Sequence, residues 1–408
     1  MAITVYNTPA SYAPAYNQMI FTLSSTNSGQ SNFRYIADIY VNGSSDYTRL
    51  EVGKNPNNSY GTFDISGIIQ NYLTRDADDN TTTFKQCQNS IASYIVQFGE
   101  QYGASSGITN YTNLTTSSGY AYNGVFDSLS FLNYSVNTYV LQNSSSQFLT
   151  DRPTFETRAG EKLILGFMTD LANEAYNLEI VSYYDEGTIF NTVRTTNPFA
   201  SIANRQDRSI NVRVDHDWLS SLTNSDLSFG TTPIFSANYE YYDVRIKSLT
   251  GTVVSETIRI YPGEDICSKY DPIRFKFMNN YGKYDYFTFT GAKTKTTNIT
   301  RNTYKSNPNS WSSTNYNYNR MSRGLNQYET ILDDTITINS DWITEAESAW
   351  LEQLVTSPDV YIYDGANLVA VNITNANYET KYVASQQLFN LVISFTYSQN
   401  RKRQRRWF

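Results

Sequence analysis

The stretch FRYIADIYVNG, residues 33–43, decides the fold class of this chain. Apolar residues recur at every second position of it: Phe33, Tyr35, Ala37, Ile39 and Val41. Such alternation puts all five side chains on one face of a β-strand. The dipeptide Asn42-Gly43 then supplies the two-residue turn that joins antiparallel strands. The stretch therefore predicts a β-hairpin with one buried face.

The same alternation recurs around Phe21, Phe98, Phe167 and Ile180, so two stretches of about 100 residues predict several short strands each. Residues 242–251, YDVRIKSLTG, echo residues 35–43, YIADIYVNG, which suggests a weak internal repeat. We expect an all-β, multi-domain chain with immunoglobulin- or fibronectin-III-like sandwiches. The first sandwich would span residues 1–100 and the second residues 153–265.

A third part, residues 266–400, predicts a C-terminal β domain that contains one helix near residues 345–355. Thr344 and Glu347 form a Thr-x-x-Glu capping box, and Pro358 lies just past the expected end of the helix. Three strands should follow, at residues 360–363, 368–373 and 389–397, with Asp364-Gly365 as the first turn.

Two polar segments interrupt these domains. Residues 101–152 predict an extended arm, polar over 101–120, that continues into an aromatic linker, and residues 292–325 predict a long polar excursion. Polar segments of this kind cannot offset their conformational entropy alone, so we expect neighbouring chains to bury them in an assembled particle.

The composition favours packing surface over catalytic chemistry. There are 35 Tyr and 21 Phe, and charged residues make up only 17% of the chain. The net charge of −7 argues against a nucleic-acid binder. Cys87 and Cys267 are too far apart in sequence for a disulfide framework and are expected to be buried thiols. The N-terminus lacks the pattern of a signal peptide, and no apolar stretch reaches membrane-helix length, so a membrane location is not expected.

Enzyme motifs are also missing, so we expect no enzyme, no cofactor, no metal and no small-molecule ligand. His216 is interpreted as a solvated residue at a strand end. The acidic run Asp76–Asp79 alternates like a calcium loop but lacks the turn glycine and the distal glutamate, which favours a solvated loop. The pair Asp333-Asp334 leaves open two carboxylates for glycoside hydrolysis, because their separation in space is not visible in a sequence.

The basic tail, residues 401–408, is the candidate interaction site. Its members are Arg401, Lys402, Arg403, Arg405, Arg406, Trp407 and Phe408. Arg and Trp are enriched at interface hot spots, so the tail predicts an arm that docks on an acidic partner surface. A flexible solvated end and a contact with nucleic-acid phosphates are the two alternatives.

Three segments carry a resemblance to a known group of proteins. They are ITVYNTPASYAPAYNQMIFTLSST at residues 3–26, DPIRFKFMNNYGKYDYFTFTG at 271–291, and the ending that starts with WITEAESAWLEQLVTSPDVYIYDG at 342–365. These segments resemble virion structural proteins of bacteriophages that infect Bacteroidetes, crAss-like phages included, and the ending is similar to domains of phage tail and baseplate proteins. The resemblance implies a structural protein that assembles as a ring or as a fixed-copy part of a tail.

The expected function is therefore that of a phage virion structural protein, in the tail or at the head–tail junction, made in the host cytoplasm. Its partners would be copies of itself and other phage virion proteins. The alternatives are a capsid decoration or head-fibre protein, a carbohydrate-binding, adhesin-like module, and a tail-associated depolymerase.

Overall fold

The computed structural model shows an all-β protein with more than one domain, as predicted. Strands account for 51% of it and helices for 11%. No helix in the part of the chain that the structure describes is both long and apolar enough to cross a bilayer. The described residues are 3–76, 81–103, 115–170, 176–185, 187–199, 204–263, 271–306, 310–311, 316–317, 324–365, 367–375, 388–399 and 401–402.

The chain forms two compact units. Unit 1 contains Met1–Asp265 together with Met278–Asp285. Unit 2 contains Ile266–Phe277 together with Tyr286–Phe408. Unit 1 itself consists of two sandwich modules, module 1 (residues 3–122) and module 2 (residues 140–263).

Module 1 contains nine strands and one short helix. In chain order they are β1 (Ile3–Asn7), β2 (Tyr12–Pro14), β3 (Ile20–Ser25), β4 (Arg34–Val41), β5 (Tyr47–Gly53), β6 (Gly61–Asp64), α1 (Ser66–Gln70), β7 (Phe84–Gln86), β8 (Ile91–Gln101) and β9 (Thr115–Tyr122). A three-stranded sheet, β1-β3-β6, faces a five-stranded sheet, β2-β9-β8-β4-β5. Phe21 of β3 meets Phe98 of β8 with ring centroids 5.1 Å apart, so one aromatic core joins the two sheets.

Module 2 follows two short helices, α2 (Ser128–Leu132) and α3 (Val136–Tyr139). Its elements are β10 (Val140–Leu141), β11 (Phe155–Thr157), β12 (Ile164–Thr169), β13 (Tyr176–Asp185), β14 (Thr188–Thr196), β15 (Ser209–Arg213), α4 (His216–Ser220), β16 (Tyr241–Ser248) and β17 (Ile258–Pro262). Its sheets are β10-β12-β15-β7 and β11-β17-β16-β13-β14. β7 reaches its sheet from the chain of module 1, because it pairs antiparallel with β15.

The two modules have the same topology. In each five-stranded sheet, the edge strand that comes first in the chain (β2 or β11) runs parallel to the strand that comes last in the chain (β9 or β17). The strand before that last one (β8 or β16) lies next to it in the sheet, and a hairpin (β4–β5 or β13–β14) completes the sheet. In each smaller sheet the final strand leads directly into a short helix, α1 after β6 and α4 after β15. The hydrogen bond from Ile65 N to Met19 O (3.1 Å) has its counterpart in that from Val214 N to Leu163 O (2.9 Å). The internal repeat therefore exists at the level of strand order.

The repeat differs from the one that the sequence echo suggested. The echo aligned β4 with β16, but the equivalent pairs are β4 with β13 and β8 with β16. The alternation of apolar residues is shared by all these strands, so it could not distinguish one strand from another. The two-sheet sandwich architecture is present in both modules, and the immunoglobulin- or fibronectin-III-like assignment stays a prediction.

Unit 2 is built on one large sheet. Its elements are β18 (Ile273–Met278), β19 (Tyr284–Phe289), β20 (Lys293–Lys305), β21 (Ser310–Trp311), β22 (Tyr316–Asn317), β23 (Leu325–Thr344), α5 (Glu345–Thr356), β24 (Val360–Asp364), β25 (Asn367–Ile373), β26 (Leu388–Tyr397) and β27 (Arg401–Lys402). The strand order is β19-β18-β24-β25-β26-β23-β20, with β27 beside β23. The helix α5 packs Trp350, Leu351 and Leu354 into the core of this sheet.

Several predicted elements of unit 2 are confirmed. The capping box is present, because the Glu347 amide donates to Thr344 Oγ1 (3.2 Å) and the Thr344 amide donates to Glu347 Oε2 (2.9 Å). β24, β25 and β26 coincide with the three strands expected after the helix.

The prediction that residues 101–120 form an arm outside the core is wrong where the structure describes them. Residues 115–122 form β9, which lies inside the five-stranded sheet between β2 and β8. The glycine at position 119 has a steric cause, because a side chain there would come within 2.5 Å of the Tyr94 hydroxyl. Residues 104–114 lie outside the described residues.

Candidate interaction surfaces

The basic tail begins as a strand of unit 2. β26 ends at Tyr397, as expected, but the chain then returns and Arg401–Lys402 form β27, paired with Leu332 and Ile331 of β23. The prediction that residues 401–408 form an arm is therefore wrong for the first two residues, which belong to the sheet of unit 2. The remaining candidate residues, Arg403, Arg405, Arg406, Trp407 and Phe408, lie outside the described residues.

The long hairpin β20–β23 projects past the strand beside it. β23 pairs with β26 only from Thr335 to Thr344. Its first ten residues, Leu325–Asp334, pair with β20 on one side, and on the other side only Ile331 and Leu332 pair with β27. Ten residues of strand span about 30 Å. We call β20 together with residues 325–334 the β-arm, and the polar excursion predicted from the sequence begins with its first strand.

The base of the β-arm is fixed by a charged contact. Asp334 is buried, with 8% of its surface exposed. Its carboxylate accepts a hydrogen bond from Thr297 Oγ1 (2.6 Å) and lies 2.8 Å from Lys295 Nζ. A buried carboxylate requires such partners, because an unpaired charge away from water is strongly unfavourable. The contact therefore holds the two strands in register where the β-arm leaves the sheet.

The outer part of the β-arm exposes apolar and cationic side chains. All but one of the residues of β20 are exposed. The exposed fractions are 46% for Ile299, 59% for Leu325 and 45% for Tyr328. Arg301 and Lys305 are exposed too, and among the described residues no carboxylate lies within ion-pair distance of either. Apolar anchors interleaved with cations are the composition of an interface rather than of a solvated hairpin.

A second surface lies on the outer face of the five-stranded sheet of module 2. Glu179 of β13, only 1% exposed, receives three cations: Arg194 Nε at 2.7 Å, Arg245 Nη2 at 2.6 Å and Lys247 Nζ at 3.1 Å. Burial opposes ionisation of Glu179, but the hydrogen bonds from the three cations outweigh it and lower the pKa of this carboxyl. One carboxylate against three cations leaves this cluster with a charge of +2.

Aromatic side chains lie next to this cluster on the same face of the five-stranded sheet. Tyr183 and Tyr241 have ring centroids 4.6 Å apart, and Tyr261 lies 5.8 Å from Tyr241. The Arg259 guanidinium lies 3.9 Å from the centroid of Tyr241 and pairs with Asp243 at 2.8 Å. We call Tyr183, Tyr241 and Tyr261 the tyrosine strip.

A groove of about 460 Å³ borders the tyrosine strip. Arg152, Glu256, Arg259 and Tyr261 are among the residues that line it. Burial raises the pKa of the Glu256 carboxyl, although the Phe148 amide that donates to it acts in the opposite direction. The groove falls within the size range of small-ligand pockets, and its mixed charges suit a neutral polar ligand better than an ion.

The residues that the sequence analysis considered for catalysis or metal binding make contacts within the fold. His216 is the first residue of α4, stacked on Tyr239 with ring centroids 4.7 Å apart, so the prediction of a solvated strand end is wrong. Asp76 accepts hydrogen bonds from the amides of Asn89 and Ser90, both at 2.9 Å, and residues 77–80 lie outside the described residues. Within the described ranges, no cluster of His, Cys, Asp or Glu is suited to hold a metal ion.

Two other pairs of side chains are of types that occur in catalytic sites. Asp333 and Asp334 are neighbours on β23, so their side chains point to opposite faces of the strand and cannot flank one glycosidic bond. The Lys283 ammonium donates to Ser209 Oγ at 2.8 Å, but Lys283 is 6% exposed and Ser209 2% exposed. A substrate cannot reach either side chain without opening the fold. Cys87 is a buried thiol, as predicted, and Cys267 lies outside the described residues.

The sequence analysis predicted residues 292–325 as a polar segment that contacts neighbouring chains, but missed the hairpin that they begin, and it missed the Glu179 cluster entirely. The β-arm carried a weak signal, because KTKTTNITRNTYK at residues 293–305 is rich in Thr, a residue favoured in strands, although its alternation is polar on both faces. The Glu179 cluster carried none, because its four residues come from three strands that pair over long sequence distances. A scan against protein-family models finds no family that matches this chain, and a search of curated proteins finds no match either.

Proposed function

We propose that this chain is a bacteriophage virion structural protein, in the tail or at the head–tail junction, that acts by assembly. The sequence resemblance supports this proposal, and so does the abundance of aromatic side chains packed in rigid modules. The observation that carries it is the β-arm, because a hairpin that exposes Ile299, Leu325 and Tyr328 is stabilised when a neighbour covers it.

In this proposal the modules and the sheet of unit 2 are the rigid blocks, and the β-arm is the connector. β-Sandwiches give fixed shapes, since their cores are closed by aromatic contacts such as Phe21 with Phe98. The β-arm offers area beyond the body of its own sheet, in the way that extended segments bind neighbouring proteins. Fixed blocks with a projecting connector suit a ring or another fixed-copy assembly.

The test is to find the chain in particles. Phage particles would be purified from cultures in which the gene is expressed. They would be analysed by mass spectrometry and by cryo-electron microscopy. We expect the chain at a fixed copy number, in density at the tail or the head–tail junction. Density on the capsid surface would favour the decoration or head-fibre alternative, and absence of the chain from particles would refute the proposal.

The tyrosine strip favours one other function, that of a carbohydrate-binding module. Sugar rings stack on exposed aromatic faces, and Tyr261, 47% exposed, lies at the rim of the groove that also contains Arg152 and Glu256. A glycan array probed with the full chain tests this alternative. Binding that is lost in Tyr261→Ala and kept in Tyr72→Ala, an exposed tyrosine of module 1, would favour it.

A further inference from the structure

β20 is an edge strand of the sheet of unit 2. In the described part of the chain, β20 pairs with β23 along its full length and with no other strand. Natural edge strands are usually short, or are interrupted by proline, bulges or charge, because an open edge invites pairing with another chain. β20 is 13 residues long and contains no proline, and its protecting features are four cations and one register shift between Asn302 and Thr303.

The charges of β20 are unbalanced towards its outer end. Near the base, Lys295 is neutralised by Asp334 at 2.8 Å, and Lys293 Nζ lies 3.6 Å from Asp271. Further out, Arg301 and Lys305 meet no carboxylate among the described residues. The outer half therefore combines an edge strand, exposed apolar side chains and two cations that meet no described carboxylate, with Glu329, which accepts a hydrogen bond from Asn302, as its one acid.

The whole sequence shows which surface would complement this charge. Residues 286–328 contain six Lys and Arg and no Asp or Glu, and residues 401–408 contain five more cations and no acid. All 38 acidic residues of the chain lie outside these two stretches, against the 20 remaining Lys and Arg. Outside these two stretches the formal charge is −18, a sum that includes Glu329, Asp333 and Asp334 of the β-arm itself, so a second copy offers an excess of carboxylates to the cations of the β-arm.

We propose that the outer half of the β-arm, with Ile299, Arg301, Lys305, Leu325 and Tyr328, docks on the acidic surface of a second copy of this chain. Such a contact joins two different surfaces, so it is heterologous and leads to a closed ring or an open filament. The cations accelerate and orient the encounter, and the apolar side chains are buried in the contact. This inference rests on the proposed function, since it names the partner through which assembly proceeds.

The first experiment measures self-association of the full chain by sedimentation velocity. The test variant is Arg301→Glu with Lys305→Glu, and the matched control is Arg34→Glu with Lys54→Glu, which changes the net charge equally at two exposed positions of module 1. We expect the unmodified chain to associate, and more weakly as salt rises. The dissociation constant should rise about tenfold or more in the test variant and change less than threefold in the control. Equal effects in both variants, or a monomer at every concentration, would overturn the inference.

A second experiment separates this inference from the proposed function. Particles assembled from a mixture of ¹⁴N- and ¹⁵N-labelled chains would be treated with a carbodiimide, which joins amines directly to carboxylates. We expect mixed-isotope crosslinks between Lys305 and acidic peptides of a second copy. A chain that is present in particles but crosslinks through Lys305 only to other proteins would refute the inference and leave the proposed function standing. A chain absent from particles would refute the proposed function itself.

Discussion

The two modules of unit 1 place an acidic residue at the same point of the same topology. In module 1, Asp38 of β4 lies opposite Arg49 of the next strand, with Oδ1 and Nε 2.7 Å apart. In module 2, Glu179 of β13 lies opposite Arg194, also at 2.7 Å. Both carboxylates are almost fully buried, at 2% and 1% exposure. The acid–arginine pair is therefore part of the repeated design.

The other neighbour of this acid differs between the modules. Asp38 has Gln97 of β8 on its second side, whereas Glu179 has Arg245 of β16 there. Lys247 adds a third cation at 3.1 Å in module 2. Both modules thus contain the stabilising acid–arginine pair, and they differ in the residue on the other side of the acid. This difference makes the cluster neutral in module 1 and positive in module 2, although the fold is the same.

The largest effect is expected from removing the shared acid in module 2. Glu179→Gln keeps the shape of the side chain but leaves three cations without their carboxylate. We expect the free energy of opening β13 and β16 to fall by about 3 kcal/mol, the magnitude typical of breaking a buried charge pair. Hydrogen exchange of the backbone amides in these strands measures it. Glu240→Gln, at an exposed position, is the control, and an equal loss in both variants would contradict the account.

The corresponding change in module 1 should cost less. Asp38→Asn removes the carboxylate from one cation, Arg49, and 35% of the Arg49 side chain is already exposed, so water can solvate the guanidinium. We expect a loss of about 1–2 kcal/mol in the stability of β4 and β5, measured by the same exchange experiment. A loss as large as that of Glu179→Gln would show that the number of cations does not set the cost.

The stability of module 2 should also depend on pH through Glu179. The pKa of Glu179 is lowered in the fold from its ordinary value of 4.5, so the folded state binds this proton less readily than the unfolded chain. Its contribution to stability is therefore complete above pH 4.5 and is lost as the pH falls through the lower folded-state pKa. We expect β13 and β16 to lose protection in that acidic window, by less than Glu179→Gln causes at neutral pH. Glu179→Gln should abolish this step, and a step that persists in the variant would assign it to other carboxyls.

The sequence predicts the parts of this protein that depend on local patterns. The alternation in residues 33–43 and the capping box at Thr344 each specify one element, because the signal and the element occupy the same few residues. The strand β9 was not predictable in this way. Its glycine, Gly119, is required by the side chain of Tyr94, a residue of another strand.

The surfaces depend on pairing that no short stretch encodes. Glu179 meets Arg245 because β13 and β16, 66 residues apart, are neighbours in the sheet. The β-arm is recognisable only once β23 is seen to extend beyond β26. Long-range pairing also explains why the whole basic tail was predicted to be an arm that docks on a partner, since β27 pairs with residues some 70 positions earlier in the chain.

The smallest effect is expected from making module 2 resemble module 1. Arg245→Gln gives Glu179 the same second neighbour that Asp38 has, and leaves it paired with Arg194 and Lys247. The carboxylate therefore keeps enough hydrogen bonds to remain ionised, and the lost guanidinium is itself 32% exposed. We expect β13 and β16 to lose about 0.5–1 kcal/mol, as for a partly solvated ion pair. The reciprocal change, Gln97→Arg, places a second arginine beside Asp38 and should leave module 1 within about 0.5 kcal/mol of its original stability. A loss above about 2 kcal/mol from Arg245→Gln would mean that Arg245, and not the shared pair with Arg194, is the main partner of Glu179.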